Sequence, residues 1–152
     1  MDEQNFPINM GLIATTIKDY LDSNEYNYHY DEENEMYEMG FTLDNDRVRL
    51  KFFYDEEHEW FSMVVFPSHA IPVGQVGKIL PTLNNINKKL LFGNFFVDPE
   101  DGELAFRMSA SVDNRSINDT MVAVMLSTGI NTVDDHINDI MKALYAELYL
   151  YI

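Results

Sequence analysis

Residues 35–67 read "EMYEMGFTLDNDRVRLKFFYDEEHEWFSMVVFP", and no other stretch constrains the fold as tightly. Tyr37, Met39, Phe41 and Leu43 fall on every second position, and so do Val48, Leu50, Phe52 and Tyr54. A period of two places each set on one face of a β-strand. "DNDR" between them supplies hairpin turn residues. A four-residue loop there would pair Leu43 with Val48, Phe41 with Leu50 and Met39 with Phe52. All three pairs are apolar, so pattern and register agree. Upstream, Tyr26, Tyr28 and Tyr30 alternate in "YNYHYD" and mark another half-buried strand. Downstream, "DEEHE" turns into "WFSMVVFP", a further strand ended by Pro67.

The opposite face of this meander carries Arg47, Arg49, Lys51 and Phe53 on one strand. With "DEEHE" as the loop, Phe61, Met63 and Val65 join them on the next. An antiparallel sheet with one wet face reads apolar inward and polar outward, and three large apolar residues do not suit a wet face. Phe53, Phe61, Met63 and Val65 are therefore expected to form an apolar outer face. A helix, a second subunit or a ligand peptide would cover it, which makes them candidate protein-binding residues.

Helical periodicity brackets the meander. Ile13, Ile17 and Leu21 form one stripe, and with Pro7 in the first turn they predict a helix over about residues 7–22. Val76, Leu80, Leu83 and Leu90 predict a second helix from Pro72 to Gly93, kinked or restarted at Pro81. Ser116 with Asp119, and Thr132 with Asp135, resemble capping boxes. They predict two closing helices separated at Gly129. Between the second and third helices, "NFFVDPEDGELAF" predicts a hairpin with Phe95 opposite Phe106 and Val97 opposite Leu104. The fold class is α+β: a twisted antiparallel sheet flanked by helices, in the order α-β-β-β-β-α-β-β-α-α. Residues 1–152 contain no repeat or low-complexity linker, so one domain is expected.

The formal net charge is −16, and 14 of the 26 acidic residues lie between Asp19 and Glu59. Such a field repels phosphate backbones, so nucleic acid is not an expected partner. A cationic client suits it better. Cys is absent, which excludes disulfides and thiolate chemistry. No apolar run approaches the ~20 residues of a membrane span. "MDEQNFPINM" is not a secretory signal, so a cytoplasmic protein is expected.

The motifs of chemistry are weak. Asp98, Pro99 and Gly102 suit a tight turn. The alternative, a calcium loop, fails because Val97 and Met108 occupy positions that should be ligands. His29, His58, His69 and His136 form no short-range pair, so only a zinc site assembled from distant segments is open to them. Ser68 adjoins His69, but adjacency does not make a hydrogen-bonded triad. Glu56 and Glu57 read as solvated turn residues. Gly74 and Gly77 lack phosphate-loop spacing. No catalytic residue, metal or cofactor is expected. The nine methionines read mainly as core filler. The tail "ALYAELYLYI" reads as a helix docked on the core or as an oligomer surface.

One run is distinctive: "ILPTLNNINKKLLFGNFFVDPEDGELAFR", residues 79–107. Leu83, Asn84, Ile86, Asn87, Gly93 and Phe95, then the acidic turn with Gly102, Leu104 and Arg107, resemble the YbjN-like family of bacterial sensory-transduction regulators. That family belongs with the type III secretion chaperone-like fold. The helical segment from Ser116 to Leu144 is similar as well. The resemblance implies an α+β domain, a non-enzymatic role in regulation or protein binding, and a protein or peptide client. Asn84 and Asn87, one helical turn apart, are its family-like polar pair, read either as local hydrogen bonding to a neighbouring loop or as recognition contacts. Three functions are thus open. The first is a protein-binding regulator or chaperone-like module, as a homodimer or alone. The second is a small enzyme or metal- or ligand-binding domain using dispersed Asp, Glu and His. The third is an acidic immunity-type inhibitor of a basic toxin.

Overall fold

A computed structural model describes residues 4–113 and 116–146. Helix α1 (Leu12–Ser23) leads into strands β1 (His29–Asp31), β2 (Met36–Thr42), β3 (Arg47–Asp55) and β4 (Trp60–Pro67). A 3-10 turn (Val73–Gln75) opens helix α2 (Val76–Asn87), and strands β5 (Asn94–Val97) and β6 (Leu104–Ser111) precede helix α3 (Asp119–Tyr145). The six strands form one antiparallel sheet in the order β1-β2-β3-β4-β6-β5. The expected fold class and element order are present, with one difference at the C-terminal end.

That difference is Gly129. Helix α3 is continuous across the expected break, and its N-cap is Asn118, whose side chain accepts from the Met121 N–H. Gly129 is a packing residue and not a helix stop. A Cβ there would collide with the Met63 side chain and sit 3.1 Å from Val65 Cγ2. The missing side chain is what lets the helix lie directly on β4. Leu148 and the rest of the tail, residues 147–152, lie outside the described residues.

Helix α1 is shorter than expected, because Gly11 is its N-cap and Pro7 lies ahead of it. Gly11 supplies no capping side chain. The carboxylate of Glu56, from the β3–β4 loop, accepts from Ile13 N (2.8 Å) and Ala14 N (3.1 Å) instead. A carboxylate at a helix N-terminus satisfies orphan donors and the helix dipole together. Any Cβ on Gly11 would run into the Glu56 side chain. Glu56 is therefore a long-range cap, which corrects its reading as a solvated turn residue. In α2 the helix begins at Val76 and contains Pro81.

The β5–β6 hairpin has the expected register, Phe95 opposite Phe106 and Val97 opposite Leu104. Gly102 turns it with φ +76°, a conformation that favours glycine. A Cβ at Gly102 would also strike the Ile71 carbonyl, and Ile71 N donates to Gly102 O across 2.8 Å. The β2–β3 hairpin is tighter than expected. Leu43 N donates to Asp46 O (2.7 Å), so only Asp44 and Asn45 form the loop, and Met39 opposes Leu50. The shift is two residues, so every side chain keeps its face. Asn45 ties this turn to α3 by donating to Asp134 and accepting from Asn138.

Candidate functional site

All three helices pack on one face of the sheet. Ile13, Ile17 and Leu21 of α1, Ile79 and Leu83 of α2, and Val133, Ile137 and Ile140 of α3 join one core cluster. Their sheet partners in it are Tyr37, Leu50, Phe52, Phe61, Met63, Val65 and Phe106. Cross-strand pairing fixes this side: Phe61 opposes Tyr54, Met63 opposes Phe52 and Val65 opposes Leu50. Phe61, Met63 and Val65 are each 0% exposed. They do not form an outer face, which corrects the sequence expectation. The loop between β3 and β4 is four residues, with Asp55 pairing Trp60. An even loop places Phe53 opposite Ser62, and the expected partner Phe61 turns inward.

The true outer face has a different membership. It carries Arg47, Arg49, Lys51 and Phe53 from β3, and Trp60, Ser62, Val64 and Phe66 from β4. Arg107, Ser109 and Ser111 oppose Val64, Ser62 and Trp60 from β6, and Phe96 stands on β5. Phe53 is the one apolar candidate that the structure leaves on this face. Trp60, the sole tryptophan of the chain, is 38% exposed. The cations lie over aromatic rings: Arg49 Cζ is 5.0 Å from the centre of Phe66, Lys51 Nζ 5.5 Å from the same ring, and Arg107 Cζ 5.1 Å from Phe96. Each contact holds a charged head and an apolar plane at one surface.

A shallow concavity of about 400 Å³ lies at the middle of the face, lined by Phe53, Trp60, Ser62, Val64, Arg107 and Ser109. Its polar floor is satisfied: Ser62 Oγ donates to Met108 O (3.1 Å) and accepts from Ser109 Oγ (2.9 Å). Arg49 reaches Glu103 at 3.6 Å and Lys51 reaches Glu38 at 3.4 Å. At the rim, hydrogen bonds from the His58 backbone N–H and ring hold the Asp55 carboxyl below the usual carboxylate range. Arg107 has no carboxylate partner among the described residues.

Both edges of the sheet are closed. On β5, the Asn87 carboxamide accepts from Phe95 N (2.8 Å) and donates to Phe95 O (3.0 Å). On β1, the Gln4 carboxamide donates to Tyr28 O (2.7 Å) and accepts from Tyr30 N (2.7 Å). Each side chain occupies the backbone groups that an added strand would use. Asn87 thus makes the local contact of the two readings weighed for it. Asn84 is exposed on α2, and no side-chain hydrogen bond holds it among the described residues. Two amides in plain sequence give no sign of this edge sealing, since their partners are 8 and 24–26 positions away.

The titratable clusters do not assemble an active site. Ser68 Oγ and the His69 ring both face Asp46, the histidine at 3.9 Å, so the pair fastens the β2–β3 turn. His136 bonds the Thr132 carbonyl within α3 and packs on Phe95. No three His, Asp or Glu gather as a metal site among the described residues. Tyr30, Tyr37 and Tyr54 cluster on the covered face, with Tyr30 and Tyr54 hydroxyls 2.7 Å apart and Tyr37 donating to Ala14 O. Burial pushes all three phenols above their ordinary range, so they are neutral hydrogen-bonding groups. No helix among the described residues is long and apolar enough to cross a membrane.

The fold is similar to that of solved structures. The chain is similar over 82% of its length to the structure of an ExsC–ExsE complex, covering 90% of that chain at 12% identity and TM-score 0.61. It is similar to the Yersinia pestis type III secretion chaperone SycH bound to a YscM2 fragment, covering 82% and 97% of the two chains at 17% identity and TM-score 0.47. It is similar to YbjN from E. coli, described as a putative transcription regulator, covering 93% and 94% of the two chains at 14% identity and TM-score 0.62. No curated protein matches its sequence. A family model described as "YbjN: Putative bacterial sensory transduction regulator" matches residues 14–141. The chain belongs to the YbjN family.

Proposed function

We propose that this chain is a non-enzymatic protein-binding module of regulator or chaperone-like type, acting in the cytoplasm as one domain over residues 1–152. It docks a client on the open sheet face around Phe53, Trp60 and Phe66. The single observation that carries this reading is the asymmetry of the sheet. Three helices cover one side, while the other presents four aromatics beside four cations and carries no helix among the described residues. Trp60 is exposed and Phe53, Phe66 and Phe96 are half-buried there, and large apolar side chains left at a sheet surface in this way favour an interaction site. With both edges sealed by Gln4 and Asn87, the face is the larger surface left for a client. Family membership and the fold it shares with ExsC, a protein crystallised in complex with ExsE, support the same reading.

The acidic field of the molecule favours a client that is basic overall. Asn84, exposed beside the sealed Asn87, is a candidate further contact. A homodimer through the open face is the competing arrangement. The test combines affinity purification from the native cell with Trp60 fluorescence. A specific partner should co-purify with the wild type, shift Trp60 emission on titration, and be lost from a Phe53→Ser/Phe66→Ser variant that still folds. A partner that binds this variant equally well removes the face from the reading. Trp60 emission that changes with protein concentration alone indicates the homodimer.

A further inference from the structure

The open face lacks the acidic excess of the molecule that carries it. The whole chain has 10 basic and 26 acidic residues. On this face, among the described residues, Arg47, Arg49, Lys51 and Arg107 meet Asp31, Glu38, Asp55, Asp98 and Glu103, close to balance, with the Asp98 carboxylate accepting from Glu100 N. The acids sit at its rim and have partners of their own. Asp31 accepts from Asn34, Glu38 pairs with Lys51, Asp55 with His58, and Glu103 with Arg49. Arg107, on β6 beside the edge strand β5, has Phe96 on one side and the concavity on the other, and no carboxylate pairs with it among the described residues. A guanidinium seated over an aromatic ring can keep N–H donors available for a planar anion. The concavity floor beside it is the apolar and hydroxyl surface of Phe53, Trp60, Val64, Ser62 and Ser109.

From this we propose that the segment entering the concavity is an acidic peptide stretch. An Asp or Glu carboxylate would meet Arg107, and a neighbouring aliphatic or aromatic side chain would lie on Trp60 and Phe53. This rests on the docking reading above and adds the chemistry of the docked segment. A basic segment would place a like charge against Arg107 and leave its own cation without a partner there. An acidic one is repelled by most of the surface and finds its least hostile ground here, which fixes where on the molecule it settles. The client as a whole can still be basic, with the acidic stretch as its point of entry.

The test uses the full chain as bait for a displayed library of random dodecamer peptides, selected in parallel on the wild type, Arg107→Gln and Trp60→Ala. Thermal melts first confirm that both variants fold. The expected result is wild-type enrichment of sequences with Asp or Glu within two positions of Leu, Phe or Tyr. Synthetic peptides from that pool should bind about tenfold more weakly to Arg107→Gln, about 1.4 kcal/mol. Enrichment that depends on Trp60 but is basic, or indifferent to Arg107→Gln, overturns the acidic segment and leaves the docking face standing. Enrichment indifferent to Trp60→Ala, or none at all, overturns both. A uridine oligonucleotide that shifts Trp60 emission at physiological salt also overturns the proposal, by showing the cations to be a phosphate site.

Discussion

The two faces of this sheet are built from the same strands and do opposite work. On β4, Phe61, Met63 and Val65 are wholly buried beneath α3, while Trp60 and Phe66, one residue away in each direction of the alternation, face outward. Both sets are large and apolar, so side-chain type alone does not separate them. What separates them is the cover. The buried set has lost its water to three helices, while in the open set Phe66 lies under Arg49 and Lys51 and Trp60 is exposed. One face therefore carries stability and the other is free to carry binding.

The sharpest way to break that contrast is to truncate one aromatic on each side. Phe61→Ala should lose about 3–5 kcal/mol, the cost of a large core side chain and the cavity it leaves. Phe53→Ala should lose about 1 kcal/mol, because its side chain is only half-buried. Urea unfolding of the two variants measures both. Equal losses would mean that the open face is a second core. The next largest effect tests how closely the cover fits. Gly129→Val drives a branched side chain toward Met63 and Val65 and should cost about 1–3 kcal/mol by overpacking. A control truncation on the exposed side of the same helix, Val124→Ala, should be near neutral.

Sequence alone reads one of these faces well. Tyr37, Leu50 and Phe52 sit on the core side as their alternation predicts, and the β5–β6 register follows from a turn whose glycine has positive φ. Across the β3–β4 loop the inference fails, for a physical reason. Face parity is reset by loop length: a five-residue "DEEHE" joins Phe53 to Phe61, and the actual four-residue loop, closed with Glu59 at φ 54°, joins Phe53 to Ser62. Composition does not distinguish the two loops. Of the candidate binding residues, Asn84 is exposed, Phe53 is half-buried on the outer face, Phe61, Met63 and Val65 are core, and Asn87 is spent on Phe95. Gly129 shows the same limit, since a helix stop and a close helix–sheet contact both call for glycine. So does Glu56, whose role as the α1 cap depends on residues more than forty positions away.

The edges offer a smaller test. Asn87→Ala leaves the Phe95 N–H and C=O without their partner and should cost about 1–2 kcal/mol. Hydrogen exchange at the Phe95 amide should speed up while the β3 and β4 amides stay protected. Asn87→Asp keeps the acceptor for Phe95 N and loses the donor, so its effect should fall between the two. Fast exchange at Phe95 in the wild type would mean that Asn87 does not seal the edge.

The last contrast is a titration that the covered face should feel. Tyr30, Tyr37 and Tyr54 point toward the helices, and burial raises each phenol above the ordinary value of 10.0. Below pH 10 these groups are protonated in both the folded and the unfolded chain and contribute no pH dependence. Above it the unfolded chain releases their protons while the folded chain keeps them. Stability must therefore fall as pH rises, by up to about 1.4 kcal/mol per pH unit for each tyrosine that stays protonated. Urea unfolding at pH 9, 10 and 11 should show a flat stretch and then a decline. Tyr37→Phe should make the decline shallower, because it removes the phenol that is least exposed to water. A slope unchanged in Tyr37→Phe would mean that this hydroxyl titrates as freely as one on the open face, and the division between a dry side and a wet side of the sheet would lose its electrostatic support.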